Sequence, residues 1–281
     1  MAYHRIYNYT SIGRPLEPGF PTNKAVLILM PLGAILGAVI AWMEGQTGVA
    51  LVQQALNMLL IVFGSWALAR ELGPDDQVAA FISMGAAVFA GLLAGSPGLL
   101  IVFATLGLVR IVNRSTGLAA RKSDSVLLMV LAILVIYTTA SPFFGIVAAL
   151  AFILDGSLKD PLRHQWVFGL VCFGGTVVYM VDHDIGLAHL AVPDALFEWL
   201  SLIFLLIFAL NTLLMKKVHA KGDANGKRLD VTRVRGGMAV GLFAALQSIV
   251  RPDEVVIIVA VIAGISIGSA FRKGFKAPVA G

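Results

Sequence analysis

The chain has 281 residues, 58% of them hydrophobic and only 13% charged, with a net charge of +5. A soluble domain carries about 25% charged residues, so this sequence cannot clothe a water-facing surface. Its apolar runs are continuous and close to the roughly 20 helical residues that cross a bilayer, which excludes the alternating pattern of a transmembrane β-barrel.

The expected fold is all-α: a polytopic transmembrane bundle of about ten spans in one domain, 25–271, between polar tails at 1–24 and 272–281. In chain order the runs are 25–43, 48–69, 78–95, 97–112, 125–140, 142–154, 165–181, 195–215, 236–250 and 255–271. The 142–154 run is short enough to read either as a full crossing or as half of a re-entrant hairpin. The polar, aromatic stretch before the first run lacks the short basic lead of a signal peptide, and none is expected. Cys172 stands alone in the chain, so no intrachain disulfide can form.

Charge tests this topology. With the N-terminus in the cytoplasm and spans alternating, 20 of the 21 basic residues fall inside and only Arg251 falls outside. A wrong span count would scramble that partition, so the positive-inside rule supports both count and orientation. The expected location is a multi-pass inner cell membrane. The positive charge then reflects orientation, and no nucleic-acid partner is expected. The longest internal loop, 216–235, is basic and Gly-containing. It reads as a solvated cytoplasmic loop or as a contact for anionic lipid headgroups, the one class of partner the sequence suggests. Ten spans also divide into five plus five, the pattern of an inverted repeat.

The 66–124 stretch organises the functional reading. It places Arg70, Glu71, Asp75 and Asp76 at the end of one run and Arg110, Asn113 and Arg114 at the end of another, both on the cytoplasmic side. Gly73-Pro74 makes a turn, and Asp75-Asp76 sits where carboxylates cap a helix. Arg110 and Arg114 are four apart and share a face. Two readings stand: a helix stop with a cap, or an inner-face charge cluster that locks a gate or holds an anionic headgroup.

Within the spans the polar residues are almost all neutral, Glu198 standing near the outer end of its run, which disfavours a proton relay through buried carboxylates. Gln53 and Asn57 share one face of the second span, and with Thr176 and Gln247 they are candidates to line a cavity; interhelical hydrogen bonding is the plain alternative. Gly33/Gly37 and Gly264/Gly268 form GxxxG pairs, read as close helix packing. Asp182, His183, Asp184 and His189 are a weak metal-ligand candidate on the outer side, and no cofactor is expected.

Family patterns fail on specific residues. Gly117, Ala120 and Arg121 partly resemble the core of CDP-alcohol phosphotransferases, but Thr116 stands where that core requires Asp. Asp75-Asp76 and Asp155 to Asp160 have the wrong spacing for UbiA-type prenyltransferases. The leading expectation is therefore a transporter of a small or amphipathic solute. A membrane enzyme acting on a lipid or isoprenoid phosphate at the cytoplasmic interface is the alternative, and a structural subunit of a membrane complex is a third.

Overall fold

A computed structural model describes residues 5–93, 98–185, 196–249 and 252–275, and among these it is a bundle of ten α-helices without strands. They are α1 (Pro21–Met43), α2 (Gly48–Leu72), α3 (Gln77–Leu93), α4 (Leu99–Asn113), α5 (Lys122–Thr139), α6 (Phe143–Ser157), α7 (Gln165–Asp182), α8 (Leu196–Leu214), α9 (Val231–Leu246) and α10 (Pro252–Phe275). Each apolar run of the sequence has become one helix. The short run at 142–154 forms α6, a helix of its own that packs on α7 and α4. Gly98, with a φ of 54°, starts α4 from the left-handed region.

The helices differ in what surrounds them. Among the described residues, α1, α2, α5 and α7 are long and apolar enough to cross a membrane. Their neighbours α3, α4 and α6 are shorter apolar helices. The short α4 is buried nearly all round, from Ile101 to Asn113, and packs on α9, α2 and α6. By contrast α1, α5, α7 and α8 each present an exposed apolar face, including Ile35 and Val39, Leu127 and Val130, Val167 and Leu170, and Leu206 and Leu210. Helices that pack on protein from every side need no lipid-matched length, which accounts for the short central helices.

Small residues set the closest approaches. A Cβ at Gly37 would lie 2.6 Å from the carbonyl oxygen of Gln54, so α1 rests backbone to backbone on α2. At Gly268 a Cβ would lie 2.7 Å from Cα of Ala79, and Ser83 Oγ donates to the Val261 carbonyl at 2.9 Å, joining α3 to α10. Both GxxxG pairs therefore serve helix packing.

The five-plus-five pairing is partial. Helices α1 and α2 pack together as α6 and α7 do, and α4–α5 matches α9–α10, but α3 packs on α10 and α2 whereas α8 packs on α10 and α9. Two polar segments, expected as tail and loop, dock on the bundle. Residues 5–20 lie across one end of the bundle, with Tyr7 and Ser11 buried. The 216–230 segment folds back on itself through a Lys221–Arg228 bridge and docks on the loop after α4, where Ala224 N donates to the Thr116 carbonyl. Helix α9 begins at Val231, ahead of the expected 236, because Asp230 caps the amides of Thr232 and Arg233.

Candidate functional site: the charged end of the bundle

The C-terminal ends of α2, α4 and α6, the N-terminal ends of α5, α7 and α9, residues 5–20 and the 216–230 segment are tied together at one end of the bundle. Glu71 is the first hub. Its side chain is fully buried, and Oε1 accepts from Arg110 Nε at 2.9 Å and from Arg14 Nη1 at 3.0 Å. Asn113 Nδ2 donates to Oε2 at 3.0 Å. Arg14 also grips Asp223, with Nε to Oδ2 at 2.6 Å and Nη2 to Oδ1 at 2.9 Å. That is the forked geometry in which guanidinium meets carboxylate most strongly. Burial alone would loosen the proton on Arg14, but the Glu71 and Asp223 charges outweigh it and raise its pKa above the ordinary arginine range.

Asp155 is the second hub. Also fully buried, its Oδ1 accepts from Arg233 Nη1 at 2.7 Å and from Arg114 Nη2 at 2.8 Å, while Gln165 Nε2 donates to Oδ2 at 3.0 Å. Arg233 further donates to the backbone carbonyls of Val112 and Lys159. A third junction joins the N-terminal segment to α5: Ser11 donates to Asp124 through both its amide and its hydroxyl. Burial pushes the nearby Tyr7 phenol above its usual pKa.

The structure thus brings together Glu71, Arg110 and Asn113 of the sequence cluster. It engages Arg114 with Asp155 instead. Asp75 accepts from the backbone amides of His219 and Ala220, and Asp76 caps α3 at Ala79. Arg14, Asp155, Asp223 and Arg233 were not candidates from sequence. Asp155 and Arg233 adjoin apolar runs, the one available signal, whereas Arg14 and Asp223 lie within the polar tail and loop away from any run.

The cavity candidates separate. Gln53 is exposed on α2 and Asn57 half-buried on the same helix. Thr176 donates to the Cys172 and Pro142 carbonyls, and Gln247 accepts from Ser141 Oγ at 2.7 Å, far from the charged end. Of the outer acid and imidazole group, Asp182 lies 3.4 Å from His183, whose ring stacks on Tyr179. Asp184 follows in the turn, and His189 lies outside the described residues. Among the described residues, no three His, Cys, Asp or Glu side chains are placed to hold a metal ion.

A cleft of about 980 Å³ opens beside the Glu71 hub. Its walls come from residues 5–20, the start of α1, the C-terminal end of α2, the end of α4 and the 221–223 turn. Leu16, Phe20, Phe63 and Trp66 supply apolar surface, and Arg70 stands at the polar side. No protein-family model, curated protein or solved structure matches this chain.

Proposed function

We propose that this chain is a multi-pass membrane protein, with ten spans and a cytoplasmic N-terminus, that transports an amphipathic solute through the cleft at its charged end. The exposed apolar faces of α1, α5, α7 and α8 support insertion, because so much contiguous apolar surface has no place in water. The partition of basic residues supports the orientation.

One observation carries the transport reading: the cleft joins a charged rim to an apolar wall that runs deep into the bundle. Along α2 its lining extends from Glu71 up to Phe63. At 1.5 Å per residue that is roughly 12 Å of helix, close to half of a hydrocarbon core of about 30 Å. Beyond Phe63, Met58, Ile61 and Val62 are buried and close the bundle. A cleft open on one side and closed at mid-depth suits one state of an alternating-access carrier. Of the carboxylates that line the cleft, Glu71 and Asp223 are engaged by arginine, which leaves Glu17 alone for the acid–base work of a lipid-phosphate enzyme.

Reconstitution into liposomes with a fluorescent short-chain phospholipid tests the proposal. Faster movement between leaflets than in protein-free liposomes is expected. Equal rates would contradict transport, and chemical conversion of the phospholipid would replace it with the enzyme reading.

A further inference from the structure

Resting on the cleft as the amphiphile site, we infer that it recognises a phosphate group, with Arg70 as the counter-ion. Four arginines at this end, Arg14, Arg110, Arg114 and Arg233, each have a carboxylate within 3.0 Å. Arg70 has no carboxylate partner among the described residues. Its contacts are a long one to Thr22 Oγ1 at 3.5 Å and a stack over the Trp66 ring, 5.4 Å from the centroid. Its Nε is buried without an acceptor.

One helical turn earlier on the same cleft wall, Trp66 is only 6% exposed, and its indole N–H also lacks an acceptor. Buried donors are almost always satisfied, so two orphans beside one cavity point to a missing acceptor. Two of the three acids that line the cleft are already taken, and the third, Glu17, makes no ion pair with Arg70. Glu71 holds Arg14 and Arg110, and Asp223 holds Arg14. Arg70 therefore stands in the cleft without an ion-pair partner, and the lining, with Arg5, Arg14, Arg110 and Lys221 against Glu17, Glu71 and Asp223, is positive on balance.

A guanidinium fork matches a phosphate through two parallel hydrogen bonds. Several cations around one cavity suit an anion with three acceptor oxygens better than a carboxylate with two. Leu16, Phe20 and Phe63 give the attached hydrocarbon an apolar wall in the same space. The Arg14–Glu71–Arg110 network holds that wall in place and is not itself the ligand contact.

The test is equilibrium binding to the full chain in detergent, with three probes: dioctanoyl phosphatidic acid, dioctanoylglycerol and inorganic phosphate. Phosphatidic acid is expected to bind at least about tenfold more tightly than either of the others, the scale of a charge-assisted contact. Arg70→Gln removes that preference without weakening dioctanoylglycerol, Arg70→Lys restores part of it, and Trp66→Phe reduces it several-fold. Equal binding of phosphatidic acid and dioctanoylglycerol overturns phosphate recognition while sparing the amphiphile cleft. Binding of inorganic phosphate as tight as that of phosphatidic acid keeps the role of Arg70 and overturns the amphiphile reading. No binding of any probe overturns both. The comparison of probes on the unaltered chain decides the matter even if an Arg70 variant fails to fold.

Discussion

Arg110 donates through Nε to Oε1 of Glu71 at 2.9 Å, and the pair pins the C-terminal end of α4 to that of α2. The same oxygen receives Arg14 from the N-terminal segment, so one buried carboxylate fixes three pieces of chain. The wall of the cleft depends on that junction.

Removing Glu71 should therefore destabilise more than an ordinary surface change. Glu71→Ala leaves Arg14 and Arg110 without their shared acid, and breaking a buried pair from one side costs about 3–5 kcal/mol. Thermal denaturation in detergent should show a marked fall in the midpoint. Glu71→Gln, which keeps the shape and an acceptor oxygen, should lose less. An unchanged midpoint in both variants would remove Glu71 as a hub.

Asp155 and Arg233 should be strongly coupled. They meet at 2.7 Å with side chains 0% and 5% exposed. A double-mutant cycle with Asp155→Asn and Arg233→Gln should give an interaction energy of about 1–3 kcal/mol, as found for residues that share a network. Additive effects would mean that Arg233 is held by its backbone carbonyl contacts alone.

Glycine packing separates two positions of similar sequence context. At Gly268 a side chain would run into the backbone of Ala79, whereas nothing lies within 4 Å of a Cβ at Gly85. Gly268→Leu should cost upward of about 1–3 kcal/mol by overpacking or prevent folding, and Gly85→Leu should be tolerated. Size-exclusion chromatography and thermal melts of the two variants check the contrast.

Orientation is open to labelling. With the sole cysteine replaced by Cys172→Ala, Lys217→Cys should react with an impermeant maleimide only from the cytoplasmic side, and Gln46→Cys only from the other. Labelling of both from one side would overturn the alternating topology.

The fold was largely legible because burial in hydrocarbon and burial in a bundle both demand unbroken apolar helices, so each run announced a helix. Boundaries shifted where a polar residue decided them, as Asp230 does for α9. Of the charged site, Glu71, Arg110 and Asn113 were legible because charges against the ends of apolar runs need partners. The partners themselves were not. Arg14 and Asp223 meet across 209 residues of chain, and Asp155 lies in a helix end that reads in the sequence as the start of a turn. Long-range pairing of side chains leaves no periodic trace. The same holds for Arg70, whose place in the cleft without a carboxylate partner is visible only once the neighbouring acids have been placed.

The central claim is that the cleft beside Glu71 takes the head and the first part of the tail of an amphiphile. Photocrosslinking with a phosphatidic acid carrying a diazirine near the headgroup, followed by peptide mass spectrometry, tests it most directly. The account predicts adducts concentrated on the cleft residues Phe20, Phe63 and Trp66, suppressed by excess dioctanoyl phosphatidic acid. Adducts confined to the exposed faces of α1, α5, α7 and α8, and insensitive to competitor, would contradict it.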